Sequence, residues 1–299
     1  SYLVEQSVDG GTSWQQVVVT ASTSATITGL VNGSSYRFRV SATNSIGTGA
    51  SVAVASAIVP SAPPSAPRTP TATASDGTVA LTWTAPSSSG GAVVTGYVVE
   101  RSTDGGLTWT TAANVVSTSA TVTGLVNGTP YQFRIRATNA VGGGAWSSVV
   151  AATPATTPGA PLGLIGTAAD AQVVLSWNAP STDGGSSISA WRVDRSTDGG
   201  TQWTQVAIVS ARTAVVSGLV NGTSYLFRVS ARNAIGDGPA AVLASSISPR
   251  AVATAPTGLT AVAADRQVAL TWSIPASDGG ASITGYVVER TSDGGTTWG

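Results

Sequence analysis

This sequence predicts an all-β fold of tandem β-sandwiches, and three observations carry the prediction. The first is a long internal period: the Asp-Gly-Gly triplet starts at Asp9, Asp104, Asp198 and Asp293, which lie 95, 94 and 95 residues apart. The second is that short runs within each period alternate apolar with polar residues, as strands with one buried face do. The third is that clusters of Gly, Pro, Asn and Ser separate these runs, and no stretch has helical periodicity long enough to compete. A period of this length is too long for a helical solenoid repeat and suits a small autonomous domain, so the units are beads on a string.

The elements of a unit follow in order. TVALTW (78–83) is a short apolar-rich run, repeated as VVLSW (173–177) and VALTW (268–272), so its tryptophan recurs at Trp83, Trp177 and Trp272. GYVVERS (96–102), TSATVTGL (118–125) and YQFRIRATN (131–139) alternate apolar and polar positions. In the last of these, Tyr131, Phe133 and Ile135 share one face while Gln132, Arg134 and Arg136 share the other, which makes one face core and the other wet. The spacing of the turn clusters suits about seven strands per unit.

Composition narrows the chemistry. The 299 residues include no Cys, His or Met, and all fourteen basic residues are Arg. That removes thiol and imidazole nucleophiles, Schiff-base lysines, His/Cys metal sites and disulfides. Fourteen acidic residues balance the fourteen arginines, and no basic run exists to follow a phosphate backbone, so no nucleic-acid partner is expected. No 18-residue apolar run and no charged-then-apolar leader occurs, so neither membrane insertion nor a signal peptide is predicted.

The stretch RSTDGGLTW (101–109) has copies at 6–14, 195–203 and 290–298. An acid, paired glycines and a tryptophan in this order could serve a metal, a sugar or a turn. Calcium needs several converging carboxylates, and each copy offers one. The turn reading has a local mechanism: Asp accepts from the turn's own amides, Gly supplies positive φ, and Trp packs back across the hairpin. Asp9, Asp104, Asp198 and Asp293, with Trp14, Trp109, Trp203 and Trp298, are therefore assigned to structural hairpins. A glycosidase would need a carboxylate pair facing one cleft, whereas these aspartates lie a whole unit apart and Asp183 and Asp278 have no second acid close in sequence. No catalytic residue, cofactor or metal site is predicted. The sequons at Asn32, Asn127 and Asn221 are read as Asn-Gly turns. Trp146 stands where the other copies have Ser51 and Ala240, and it is the one irregular aromatic: it is expected to pack over its own sheet edge, and contact with a partner or a glycan is the alternative.

Taken together, the entry PSAPRTPTAT (64–73), Trp83, Tyr97 and the segment GLVNGTPYQFRIRATNAVG (124–142) resemble a fibronectin type III domain in the Ser/Thr/Gly-rich form of bacterial surface proteins, over essentially the whole chain. The resemblance implies an immunoglobulin-like β-sandwich. It also implies a tyrosine corner at Tyr36, Tyr131 and Tyr225, six residues after Leu30, Leu125 and Leu219. Trp191 departs from Tyr2, Tyr97 and Tyr286 at one core position. The expected boundaries are a partial repeat at 1–60 with strands C to G, complete repeats at 62–154 and 157–249, and a partial repeat at 251–299 with strands A to C′.

The functional expectation is a non-catalytic structural segment of a longer chain, forming a stalk, fibre or filament on a bacterial surface or virion. Its partners are then neighbouring repeats and further copies, with an extracellular location. Two alternatives stay open: an adhesive module that binds a cell-surface glycan, and a spacer within a secreted polysaccharide-degrading enzyme.

Overall fold

The structure is a computed structural model that describes residues 1–299. Its contacts divide into two compact units, Ser1–Ala155 and Thr156–Gly299. All regular structure is strand.

The first unit holds β1 (Tyr2–Ser7), β2 (Gln15–Thr20), β3 (Arg37–Ala42), β4 (Val52–Ala53), β5 (Arg68–Ser75), β6 (Thr78–Thr84), β7 (Val94–Ser102), β8 (Thr110–Val115), β9 (Ser119–Val122), β10 (Tyr131–Asn139), β11 (Gly142–Trp146) and β12 (Val150–Ala152). Residues 1–60 make one antiparallel sheet ordered β2-β1-β3-β4. Residues 62–154 make two sheets, β5-β6-β9 and β11-β10-β7-β8, with β12 also paired to β10. The second unit holds β13 (Leu162–Ala169), β14 (Gln172–Asn178), β15 (Ala190–Ser196), β16 (Thr204–Val209), β17 (Thr213–Ser217), β18 (Leu226–Arg232), β19 (Asp237–Val242), β20 (Thr257–Ala264) and β21 (Gln267–Ser273). Its sheets are β13-β14-β17, β16-β15-β18-β19 and the hairpin β20-β21.

Period-two geometry sets the core. Along β10, Tyr131, Phe133, Ile135 and Ala137 are buried while the residues between them are half-exposed. Across the sandwich, Val79, Leu81 and Trp83 of β6 are buried against them. The third repeat places Phe227, Val229 and Ala231 against Val173, Leu175 and Trp177 in the same way. Fully burying a side chain of this size contributes about 1.5–3 kcal/mol. Tyr97 meets Trp83 edge-on at 5.4 Å, and Trp191 meets Trp177 edge-on at 5.9 Å, so either ring fills the same slot.

Two stretches with strand sequence form no ladder. Residues 23–28 repeat the sequence of β9, and 285–291 repeat that of β7, yet neither is paired in a sheet. The cause is the missing neighbour: β9 pairs with β6, and β7 pairs with β8 and β10, and the short end segments hold no such partner for them. Arg290 and Gly299 still exchange a pair of backbone hydrogen bonds at 3.0 and 3.1 Å.

Candidate functional site

The Asp-Gly-Gly stretch joins β7 to β8, and its polar side chains bond one another and the turn's own backbone. Ser102 Oγ donates to Asp104 Oδ1 at 2.6 Å and accepts the Gly106 amide at 2.9 Å. The Thr108 amide reaches both carboxylate oxygens of Asp104 at 3.0 Å, and the Thr108 hydroxyl donates to Oδ2. Three donors from within the turn, two hydroxyls and one amide shared between both oxygens, therefore engage the carboxylate. Gly105 and Gly106 hold φ of 77° and 92°, a conformation open to residues without Cβ. Trp109 Nε1 donates to the Gly106 carbonyl at 2.9 Å and folds the ring back over the hairpin. The other copies repeat the pattern: Ser7 and Ser196 each bond their aspartate at 2.7 Å, and Thr291 replaces serine before Asp293 at the same distance.

These bonds tune the carboxylates. The Ser102 hydroxyl, then the Thr108 hydroxyl and amide, hold Asp104 well below the usual carboxylate range. Ser13 does this first for Asp9, the Gln202 amide for Asp198, and the Thr297 hydroxyl for Asp293. A carboxylate so held is a poor proton carrier near neutral pH, which suits a turn and not a general acid. Asp183 and Asp278 accept the amides of Gly185 and Gly280 at 2.8 Å within their own loops. No three acidic side chains converge anywhere in the chain.

Trp146 lies on β11, opposite Arg136 of β10. It is half-buried, with the Arg134 guanidinium 4.3 Å and the Arg136 guanidinium 4.6 Å from its ring. Arg134 also stands 4.3 Å from the Trp109 ring, so Trp109, Arg134, Trp146 and Arg136 form one cation–π series across the sheet, anchored by the Arg134–Glu100 ion pair at 2.6 Å.

The turns before β3, β10 and β18 complete the candidate set. Tyr36, Tyr131 and Tyr225 hydroxyls accept the amides of Val31, Val126 and Val220 at 2.9, 3.0 and 3.0 Å. Asn127 does more than sit in a turn: its Nδ2 donates to Asp76 Oδ1 at 2.7 Å and its Oδ1 accepts the Gly77 amide at 2.9 Å. Asn221 bridges to Asp170 and Ala171 in the same way. Sequence reasoning missed this pairing, although the Asp–Asn separation of 51 residues is the same in both copies. It also missed Asn139, which is buried and donates to the carbonyls of Ala62 and Ser89 while accepting two loop amides, as Asn233 does in its own repeat.

Beside the hairpin of the second repeat lies a small hollow lined by Arg101, Ser102, Thr108 and Tyr131, and a more open one is lined by Tyr97, Asn114 and Val115. Two further hollows lie in the end segments, one lined by Tyr2, Val4, Phe38 and Val40 and one by Leu259, Leu270, Trp272 and Tyr286.

Two facing antiparallel sheets tied by a tyrosine corner define an immunoglobulin-like sandwich module. The profile of the family described as "Fibronectin type III domain" matches residues 65–153 and 159–245, and the chain belongs to that family. Among its curated relatives, Titin of Drosophila melanogaster is 30% identical over 239 residues, covering 74% of this chain and 1% of that protein. Exoglucanase B of Cellulomonas fimi is 33% identical over 236 residues, covering 73% and 20%. Chitinase A1 of Niallia circulans is 34% identical over 187 residues, covering 60% and 24%. The chain thus spans under a quarter of the length of each of these relatives. They include animal and bacterial proteins alike, so the matches do not single out a bacterial origin. The solved chicken CNTN1 FN1-FN3 domains cover 84% of this chain and 88% of theirs, at 21% identity and a TM-score of 0.35.

Proposed function

We propose that this chain is a non-catalytic spacer, a stretch of fibronectin type III repeats that holds other parts of a longer extracellular protein at a set separation. One observation carries the reading: the side chains best suited to chemistry or binding are bonded to their own module. Asp104 accepts three hydrogen bonds from Ser102 and Thr108, and Trp146 is flanked by two guanidiniums. A stalk on a bacterial surface is the form of this reading we favour. The matches to Exoglucanase B and Chitinase A1 support a second form, a spacer inside a polysaccharide-degrading enzyme.

Incubating the full chain with insoluble cellulose and chitin tests the reading directly. The chain is expected to stay in the supernatant. Retention that the Trp146→Ala variant abolishes would replace the spacer with a carbohydrate-binding module.

A further inference from the structure

Two joints between successive repeats, one inside each unit, share a feature that the sandwich fold does not require. In the first unit, the Asn32-Gly33 turn before β3 meets the Gly90-Gly91 loop before β7 backbone to backbone. A Cβ placed on Gly91 would lie 2.3 Å from the Gly33 nitrogen and 2.7 Å from the carbonyl carbon of Asn32, and one on Gly33 would lie 3.1 Å from the Gly91 Cα. In the second unit, a Cβ on Gly280 would lie 2.3 Å from the Gly222 nitrogen and 2.7 Å from the carbonyl carbon of Asn221, and one on Gly222 would lie 3.2 Å from the Gly280 Cα. The obstructing atoms are main chain, which cannot swing aside as a flexible side chain can.

The segment between repeats is fixed from both sides. Pro60 O accepts the Gly33 amide of the preceding repeat at 2.9 Å, and the Ala62 amide donates to Gly90 O of the following repeat at 2.8 Å, which leaves only Ser61 between the two anchors. Pro249 O and the Ala251 amide repeat this with Gly222 and Gly279 at 3.0 and 2.8 Å. The carbonyl of Ala62 is also packed so closely on Gly90 that a Cβ there would lie 2.0 Å away, and Asn139 Nδ2 donates to the same oxygen.

We infer that the Asn-Gly turn of one repeat is a docking surface for the second glycine of the following repeat's Gly-Gly loop, and that this side-chain-free contact fixes the angle between the two repeats. The paired glycines are then kept for close approach between repeats as well as for their positive φ. A flexible tether would need neither. The inference stands on the joint's geometry alone and holds whether or not the chain is a spacer.

The test uses the full chain, whose lack of cysteine lets two introduced thiols be labelled uniquely. Nitroxides at Gln16→Cys and Thr111→Cys, both exposed strand positions, report the distance between the first and second repeats by pulsed electron resonance. The parent is expected to give one narrow distance distribution. Gly91→Ala and Gly33→Ala should each broaden it and shift its mean. Gly105→Ala is the control, because Gly105 has a φ of 77°, close to the 87° of Gly91, but nothing within 4 Å of its added Cβ, and it should leave the distribution as in the parent. Exchange protection of the Ile135 amide checks that the second repeat stays folded. Should Gly91→Ala unfold that repeat, Gly33→Ala, which lies in the other repeat, decides the matter. A parent-like distribution in Gly33→Ala, or equal broadening in Gly105→Ala, would overturn the inference.

Discussion

The second and third repeats share a core and differ in what covers one sheet. Val79, Leu81, Phe133 and Ala137 have counterparts in Val173, Leu175, Phe227 and Ala231, all buried. On the outer face of the sheet containing β7 and β10, the second repeat uses Trp109, Arg134, Trp146 and Arg136 in a cation–π series. The third keeps one such contact, Arg228 over Trp203 at 4.5 Å, but has Ala240 and Ser230 where Trp146 and Arg136 stand, and there it extends the arginine–carboxylate pairing that the second repeat makes only between Arg134 and Glu100. Arg192 and Arg228 both bond the buried Asp194 at 2.9 Å, and Arg232 pairs with Asp237. Arg232 is the main reason the Asp237 carboxyl lies below its ordinary range. Long amphipathic side chains cover the strands in both cases. The core admits one solution because shape and volume must match, while a half-wet face admits several.

Truncating the shared core should erase the distinction between the two repeats. Phe133→Ala and Phe227→Ala are each expected to cost about 3–5 kcal/mol, because both rings are fully buried in closed sandwiches. Native-state hydrogen exchange on β10 and β18 amides reads each loss within its own repeat. A large inequality would mean that the cores are not equivalent.

Removing the coats should separate the repeats again. Asp194→Ala leaves Arg192 and Arg228 without their buried acceptor and is expected to cost about 1–3 kcal/mol. Trp146→Ala should cost about 1–2 kcal/mol in lost packing and cation–π contact. Because the Asp194 effect is charge pairing with two arginines while the Trp146 effect includes apolar packing that salt does not screen, roughly 0.5 M salt should shrink the Asp194 effect more than the Trp146 effect. Equal salt dependence of the two variants would remove the proposed difference in chemistry.

The smallest effect concerns backbone strain, which the two repeats place at opposite positions. Thr69 holds a φ of 46° where the third repeat has Gly163 at 60°, whereas Ala171 holds 51° where the second has Gly77 at 58°. Thr69→Gly and Ala171→Gly should therefore each stabilise their own repeat by about 0.5–1 kcal/mol, the relieved strain exceeding the added entropy of the unfolded chain. Destabilisation in the same exchange measurement would show that the strain is already relaxed.

Much of this was legible in the sequence. The period, the strand alternation and the tryptophan, tyrosine and Asp-Gly-Gly positions follow from local rules that act within a few residues. The hairpin bonds of Asp104 were equally local. The Asp76–Asn127 bridge and the carbonyls held by Asn139 were not legible, since each joins residues 50 or more positions apart that only the folded turns bring together. The unpaired stretches 23–28 and 285–291 show the same limit, because a strand's sequence does not supply its partner.

By itself, then, the sequence determined that each unit would fold with one apolar and one polar face per strand, and where its turns would fall, because side-chain periodicity and glycine's freedom at positive φ are properties of single segments. Only the tertiary structure decided which chemistry covers each outer face and which glycines touch the next repeat, because these depend on distances between backbones that no local pattern encodes.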